Sequence, residues 1–191
     1  MTIRGHSGPA RRRSARGVFA AVLIVGAVLV GSLGLATSAQ AGWADFPQKI
    51  INYSSNKCLQ PQSFAPNARV EQRTCSGFAT LQAWQPVNAD ADGYVWLRNT
   101  STGMCMDLWA NSREEVGNGT LIQVFTCAEE SWGQRWNRVN GSRDGHFMIF
   151  AKERPTLCLD VQNRSSSNGA LLQLYQCKFF EDAQQFRLVD W

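Results

Sequence analysis

One set of landmarks occurs three times along this chain, the first copy only partial, and that repetition limits the available folds more than any other feature. The fullest copy is Cys158-Leu159-Asp160, the turn pair Asn168-Gly169, the alternating run Leu172-Gln173-Leu174-Tyr175, then Cys177 and Gln184-x-Phe186. Upstream stand Cys105-Met106-Asp107, Asn118-Gly119, Ile122-Gln123-Val124-Phe125, Cys127 and Gln134-x-Trp136. The sparsest copy is Cys58-Leu59-Gln60, Cys75 and Gln82-x-Trp84. Successive Gln-x-aromatic motifs lie 52 and 50 residues apart, a period that suits one supersecondary unit per repeat.

Within a repeat the pattern is that of short strands. Gln48 to Tyr53, the polar turn Ser54 to Lys57 and Cys58-Leu59 predict a hairpin. The same hairpin is expected from Tyr94 to Arg98 with Met104 to Met106, and from His146 to Ala151 with Leu157 to Leu159 across a turn at 152–156. An alternating strand ending near the second cysteine and a last strand at Gln-x-aromatic complete each unit. No window has apolar residues at i, i+3, i+4 and i+7, so helix is not expected. The prediction is an all-β domain of about twelve strands. Trp84, Trp136 and Phe186 are expected to fill a shared core, and the Asn-Gly pairs to make turns.

The first 41 residues are of a different kind. Five arginines and no acidic residue precede or open the apolar run GVFAAVLIVGAVLVGSLGLA, and Ala39-Gln40-Ala41 follows. These are a basic region, an apolar region and a small-residue cleavage site, which together predict a secretory signal over 1–41 and a mature domain over 42–191. The run is also long enough to span a bilayer uncleaved; the Ala-x-Ala triplet favours cleavage, a secreted protein and no membrane association afterwards. Removing five of 19 basic residues leaves 14 against 15 acids, a net charge of −1, so the precursor's +4 belongs to the leader. It says nothing of nucleic acid.

All six cysteines, Cys58, Cys75, Cys105, Cys127, Cys158 and Cys177, lie after the leader, two per repeat at matching places. In an exported chain this predicts disulfides. Few pairings respect the repetition, and the most local is Cys58–Cys75, Cys105–Cys127 and Cys158–Cys177. A zinc site is short of histidines, His146 being the only one after the leader. Neither a metal nor another cofactor is called for.

Function is sought where the repeats differ. Repeats two and three place Asp107 with Phe125 and Asp160 with Tyr175, whereas repeat one has Gln60 and Arg73. A carboxylate beside an exposed ring suits a sugar: the oxygens accept from hydroxyls and the ring covers the C–H face of the pyranose. Gln123 and Gln173 would add an amide each. The competing reading is that each Asp caps its own loop through backbone N–H groups. Catalysis has little support, since no nucleophile, histidine and acid occur together and Glu114-Glu115 and Glu129-Glu130 sit in polar loop sequence.

This pattern, paired cysteines and Gln-x-Trp or Phe three times over, with Cys-Leu-Asp and Gln-Leu-Tyr-x-Cys in the fullest copy, resembles the ricin B-type lectin domain, a β-trefoil. The resemblance spans 46–189 and is strongest in repeats two and three. It implies a sugar pocket lined in repeat two by Asp107, Gln123, Phe125 and Gln134, and in repeat three by Asp160, Gln173, Tyr175 and Gln184. The family's Asn before the last Gln is replaced by Gly133 and Ala183, and repeat one, with Gln60, Glu71 and Arg73, has lost the pattern. The implied partner is carbohydrate, galactose-like sugars or a xylan-type polysaccharide. The alternative is a protein-binding trefoil, such as a toxin receptor-binding subunit or a protease inhibitor, using Trp109, Trp132 and Phe179-Phe180.

Peptide mapping without reduction is expected to recover only the three intra-repeat cystine peptides. A Cys75–Cys105 peptide would refute that pairing.

Overall fold

Each repeat supplies four strands. The computed structural model describes residues 43–191; the predicted leader lies outside the described residues. Repeat one contributes β1 (Gln48–Asn52), β2 (Cys58–Pro61), β3 (Val70–Arg73) and β4 (Trp84–Val87). Repeat two contributes β5 (Trp96–Asn99), β6 (Cys105–Leu108), β7 (Ile122–Phe125) and β8 (Trp136–Asn140), and repeat three β9 (Phe147–Ala151), β10 (Arg154–Val161), β11 (Leu172–Gln176) and β12 (Phe186–Asp190). The described residues hold no α-helix, only four single turns of 3₁₀ geometry. None is long and apolar enough to cross a membrane.

The first and last strands of the repeats close a ring. β12 pairs with β1, β1 with β4, β4 with β5, β8 with β9 and β9 with β12. Val95 and Trp136 complete the circle by exchanging both backbone hydrogen bonds at 2.9 Å. The middle strands form three hairpins, β2–β3, β6–β7 and β10–β11. Each hairpin is cross-linked at its base by a disulfide, Cys58–Cys75, Cys105–Cys127 or Cys158–Cys177, with Cα atoms 5.0, 5.1 and 4.9 Å apart. A six-stranded barrel capped by three hairpins is a β-trefoil.

The hairpins hold one another in a cycle. Val124 of repeat two donates to Ala68 O and accepts from Asn67 N, both at 2.9 Å, so it is tied to repeat one. Leu174 is tied in the same way to Gly119 and Thr120 of repeat two (2.8 and 2.7 Å), and Gln72 to Gly169 and Ala170 of repeat three (2.9 Å each). The cycle needs positive φ at one residue per repeat. Gly119 and Gly169 supply it at φ 91° and 84°, and Asn67 takes that role in repeat one at 64°. Only the glycine of each Asn-Gly pair is left-handed. The asparagine instead staples the neighbouring repeat, Asn118 Oδ1 accepting from Gln176 N (2.7 Å) and Asn168 Oδ1 from Thr74 N (2.8 Å).

The core fills the space inside. Trp84, Trp136 and Phe186 are fully buried with Ile50, Leu59, Leu97, Met106, Ile149 and their neighbours. The two indoles also satisfy backbone carbonyls, Trp84 Nε1 donating to Leu59 O (2.8 Å) and Trp136 Nε1 to Met106 O (2.9 Å). One turn is tighter than predicted. Arg154 already pairs with Ala151, and β10 reaches Cys158 through a register shift, so the residues expected as turn are largely a bulged strand.

Trp136→Phe should fold, because Phe186 fills the matching place in repeat three. It leaves Met106 O without its donor and should lower stability by about 1–2 kcal/mol in urea unfolding.

Candidate functional site

The hairpin register brings the predicted residues together. In repeat two β6 and β7 set Asp107 opposite Gln123, and in repeat three β10 and β11 set Asp160 opposite Gln173. The amide of Gln123 donates to Asp107 Oδ2 (2.8 Å), and that of Gln173 to Asp160 Oδ1 (2.9 Å). Both aspartates are nearly covered, at 8 and 7% exposure. The strand then alternates, so that two residues beyond each glutamine a ring stands on the same face, Phe125 at 41% and Tyr175 at 38% exposure. Carboxylate, amide and ring line a hollow of about 340 Å³ in repeat two and about 350 Å³ in repeat three.

Burial raises both carboxyls. It pushes Asp107 up to about 6, against the pull of hydrogen bonds from Gln123 and from the Leu108 N–H. Asp160 is raised for the same reason, opposed by bonds from Gln173 and Gln184. The partners of these carboxylates are chiefly side-chain amides from across the hollow, not the N–H groups of a loop. Loop capping therefore does not account for them.

The glutamines of the Gln-x-aromatic motifs have a different place. Gln134 is 1% exposed; its oxygen accepts from Ala128 N and its nitrogen donates to Thr126 O, both at 3.0 Å, and it does not line the hollow. Gln184 makes the matching pair, accepting from Lys178 N (2.8 Å) and donating to Gln176 O (3.0 Å). It also reaches Asp160 Oδ2 at 3.1 Å and so closes the floor of hollow three. Gln82 in repeat one repeats the same two backbone bonds. The two replacements of asparagine also differ. A Cβ at 133 would lie 2.7 Å from Asp107 Oδ1, so Gly133 leaves that space to the carboxylate, whereas Ala183 has its methyl buried.

Further residues join the hollows without any local signal in the sequence. Asn67 comes from repeat one, and Trp109, Ser131 and half-buried Trp132 complete hollow two. Asn163, Arg164, Lys178 and Glu181 complete hollow three, where Arg164 pairs with Glu181 and the Lys178 ammonium lies 5.6 Å from the centre of the Tyr175 ring. In repeat one the corresponding pair is Gln60 and Glu71. Glu71 is buried and takes Arg73 Nε at 2.5 Å and Gln62 Nε2 at 3.1 Å, which fills the place with an ion pair. No group of three or more His, Cys, Asp or Glu among the described residues could share a metal ion.

Three hairpin repeats around a barrel, two of them holding a sunken carboxylate beside an open ring, define a trefoil binding domain. A family model described as a ricin-type beta-trefoil lectin domain matches residues 93–190, and one described as ricin-type beta-trefoil lectin domain-like matches 48–125. This chain belongs to the ricin-type β-trefoil lectin family. No curated protein sequence matches it. Among solved structures it is similar to the designed three-fold symmetric protein ThreeFoil, at 29% identity and TM-score 0.68 over 76% of this chain and 99% of that one. It also matches an exo-β-1,3-galactanase from Clostridium thermocellum, at 23% identity and TM-score 0.68 over 78% of this chain but 31% of the enzyme. A ricin B-like lectin from Macrolepiota procera, solved with lactose, matches at 15% identity and TM-score 0.63 over 77% and 96% of the two chains.

Asp107→Asn gives a prediction whose sign follows from the raised carboxyl. A folded-state value above the unfolded one favours the folded protein most below about pH 4, and that advantage is lost as pH rises through about 6. The variant lacks this loss. Its stability relative to the parent should grow from pH 4 to pH 7, by up to about 2 kcal/mol in urea unfolding, since each tenfold change in proton affinity corresponds to about 1.4 kcal/mol.

Proposed function

We propose that this chain is a secreted lectin that binds carbohydrate through repeats two and three, while repeat one serves the fold. The observation that carries the reading is the matched set of Asp, Gln and aromatic ring at one face of two hairpins, replaced by an ion pair in the third. Asp107 with Gln123 and Asp160 with Gln173 offer acceptors and donors to neighbouring hydroxyls. Phe125 and Tyr175 offer the apolar surface that a pyranose C–H face covers. Gln134 acts from outside its hollow by fixing the loop beside it, and Gln184 does the same while also lining the floor of hollow three. Export is supported by the leader-like first 41 residues and by disulfides suited to an oxidising compartment.

Galactose-like sugars head the candidates. The related folds include a lectin solved with lactose and a galactanase, and xylan-type polymers come next. A second reading, docking to a protein, rests on Phe179 and Phe180, both exposed and packed edge to face at 5.1 Å. These rings lie beside hollow three and outside it.

Shallow hollows with a few hydrogen bonds in competition with water gain little each, so monosaccharide binding should be weak. Two hollows on one rigid body act together on a polymer. Calorimetry and polysaccharide pull-down should show arabinogalactan or xylan held at least about tenfold more tightly than its monosaccharide. Asp107→Asn or Asp160→Asn should each weaken polymer binding by taking away one hollow, and the double variant should lose all binding. Undiminished binding by the double variant would sink the site assignment, and no glycan binding alongside tight protein capture would favour the second reading.

A further inference from the structure

Trp109 has no part in the carboxylate, amide and ring pattern, yet it stands between two hollows. It lines the hollow of Asp107, and it also lines a neighbouring hollow of about 400 Å³ shared with Glu115, Thr120 and Leu121 of repeat two and Gln162 of repeat three. The two hollows therefore adjoin, with Trp109 and Ala110 as their common wall. An indole in that place needs a reason, because the core does not use it and 52% of it is open to solvent.

The ring is held as a fixed platform. The Arg69 guanidinium lies 3.5 Å from its centre and covers one face. Arg69 is itself held by bonds to Asn67 O (3.1 Å) and Gln123 Oε1 (3.4 Å), and the backbone N–H of Trp109 donates to Leu121 O at 2.9 Å. With one face covered by Arg69, the large open fraction of the ring belongs to its other side. Arg69 and Asn67 lie toward the Asp107 hollow, and the indole lines the hollow of Gln162 as well. That hollow also holds the Glu115 carboxylate, fixed by Asn111 N (3.0 Å), and the Gln162 amide on a backbone tied to Leu171 O (2.9 Å). A pre-positioned ring with amide and carboxylate groups at its edge is again suited to a pyranose.

We propose that Trp109 and Gln162 form a second sugar subsite adjoining the Asp107 hollow, so that repeat two binds a linear oligosaccharide of at least two units. The inference rests on the lectin reading above. One unit lies against Asp107, Gln123 and Phe125, and the next stacks on Trp109 within reach of Gln162. Repeat three has no counterpart ring, since Gln162 itself holds the position matching Trp109. Length recognition thus belongs to repeat two.

The test uses the full protein carrying Asp160→Asn, which silences repeat three and removes any gain from two hollows acting together. Calorimetry compares galactose with β-1,3-galactobiose and galactotetraose, and xylose with xylobiose and xylotetraose. The tetraose of the bound series should bind about tenfold tighter than its monosaccharide, the scale of one added stacking contact. Trp109→Ala and Gln162→Ala should each bring that ratio close to one. A purely structural part for Trp109 would weaken all lengths alike and leave the ratio standing, which overturns the proposal. Monosaccharide binding with no gain on lengthening also overturns it while leaving the lectin reading intact. Failure of the unaltered protein to bind either series defeats both.

Discussion

The structure depends on backbone groups that no single repeat can satisfy. Gln72, Val124 and Leu174 occupy matched positions in β3, β7 and β11, and each gives and takes a hydrogen bond with the repeat before it in the cycle. A lone repeat would lack these backbone partners and leave its share of the common core open to water, so the three close together. The disulfides act on a smaller scale, each tying one hairpin to its own base. Closure makes neighbouring repeats share walls, and this is how Asn67 and Arg69 of repeat one come to stand at the hollow of repeat two.

That dependence separates repetition from function. The glutamines of the Gln-x-aromatic motifs recur in all three repeats and make the same two backbone bonds each time, whether or not a hollow is present. A residue that every repeat keeps answers to the fold. Between repeats two and three the sunken carboxylate is common, but its surroundings differ: Gly133 yields space to Asp107, whereas Gln184 holds Asp160 from behind. Hollow three also carries the Arg164–Glu181 pair, and hollow two carries Trp109 and Trp132. Two sites built on one pattern therefore present different rims.

Repeat one shows how little change closes a hollow. Its carboxylate sits on β3 rather than β2, at Glu71, and an arginine stands in the aromatic's place at Arg73. The two satisfy each other at 2.5 Å, with Gln62 adding a second donor to the carboxylate. A buried carboxylate with its own cation asks nothing of a ligand. Asp107 and Asp160 have only neutral amides in the matching role, and burial leaves them raised from their ordinary range, which is the state of a group suited to a further polar partner.

The strand count, the pairing of β1 with β2, β5 with β6 and β9 with β10, and the cystine pairs were all legible in the order of the amino acids. They follow from a period near fifty residues and from strand alternation, both of which are local patterns. That Gln134 lies outside its hollow while Gln184 lines the floor of its own emerged with the folded chain, because Gln-x-aromatic has the same spacing whether the amide faces a ligand or the backbone. So did the setting of Trp109, which bears Arg69 on one face and lines a hollow together with Gln162. Those residues are separated by 40 and 53 positions and lie in three repeats, and no local pattern links them. Their meeting comes from ring closure, in which each hairpin is placed by hydrogen bonds to a neighbour far away in the chain.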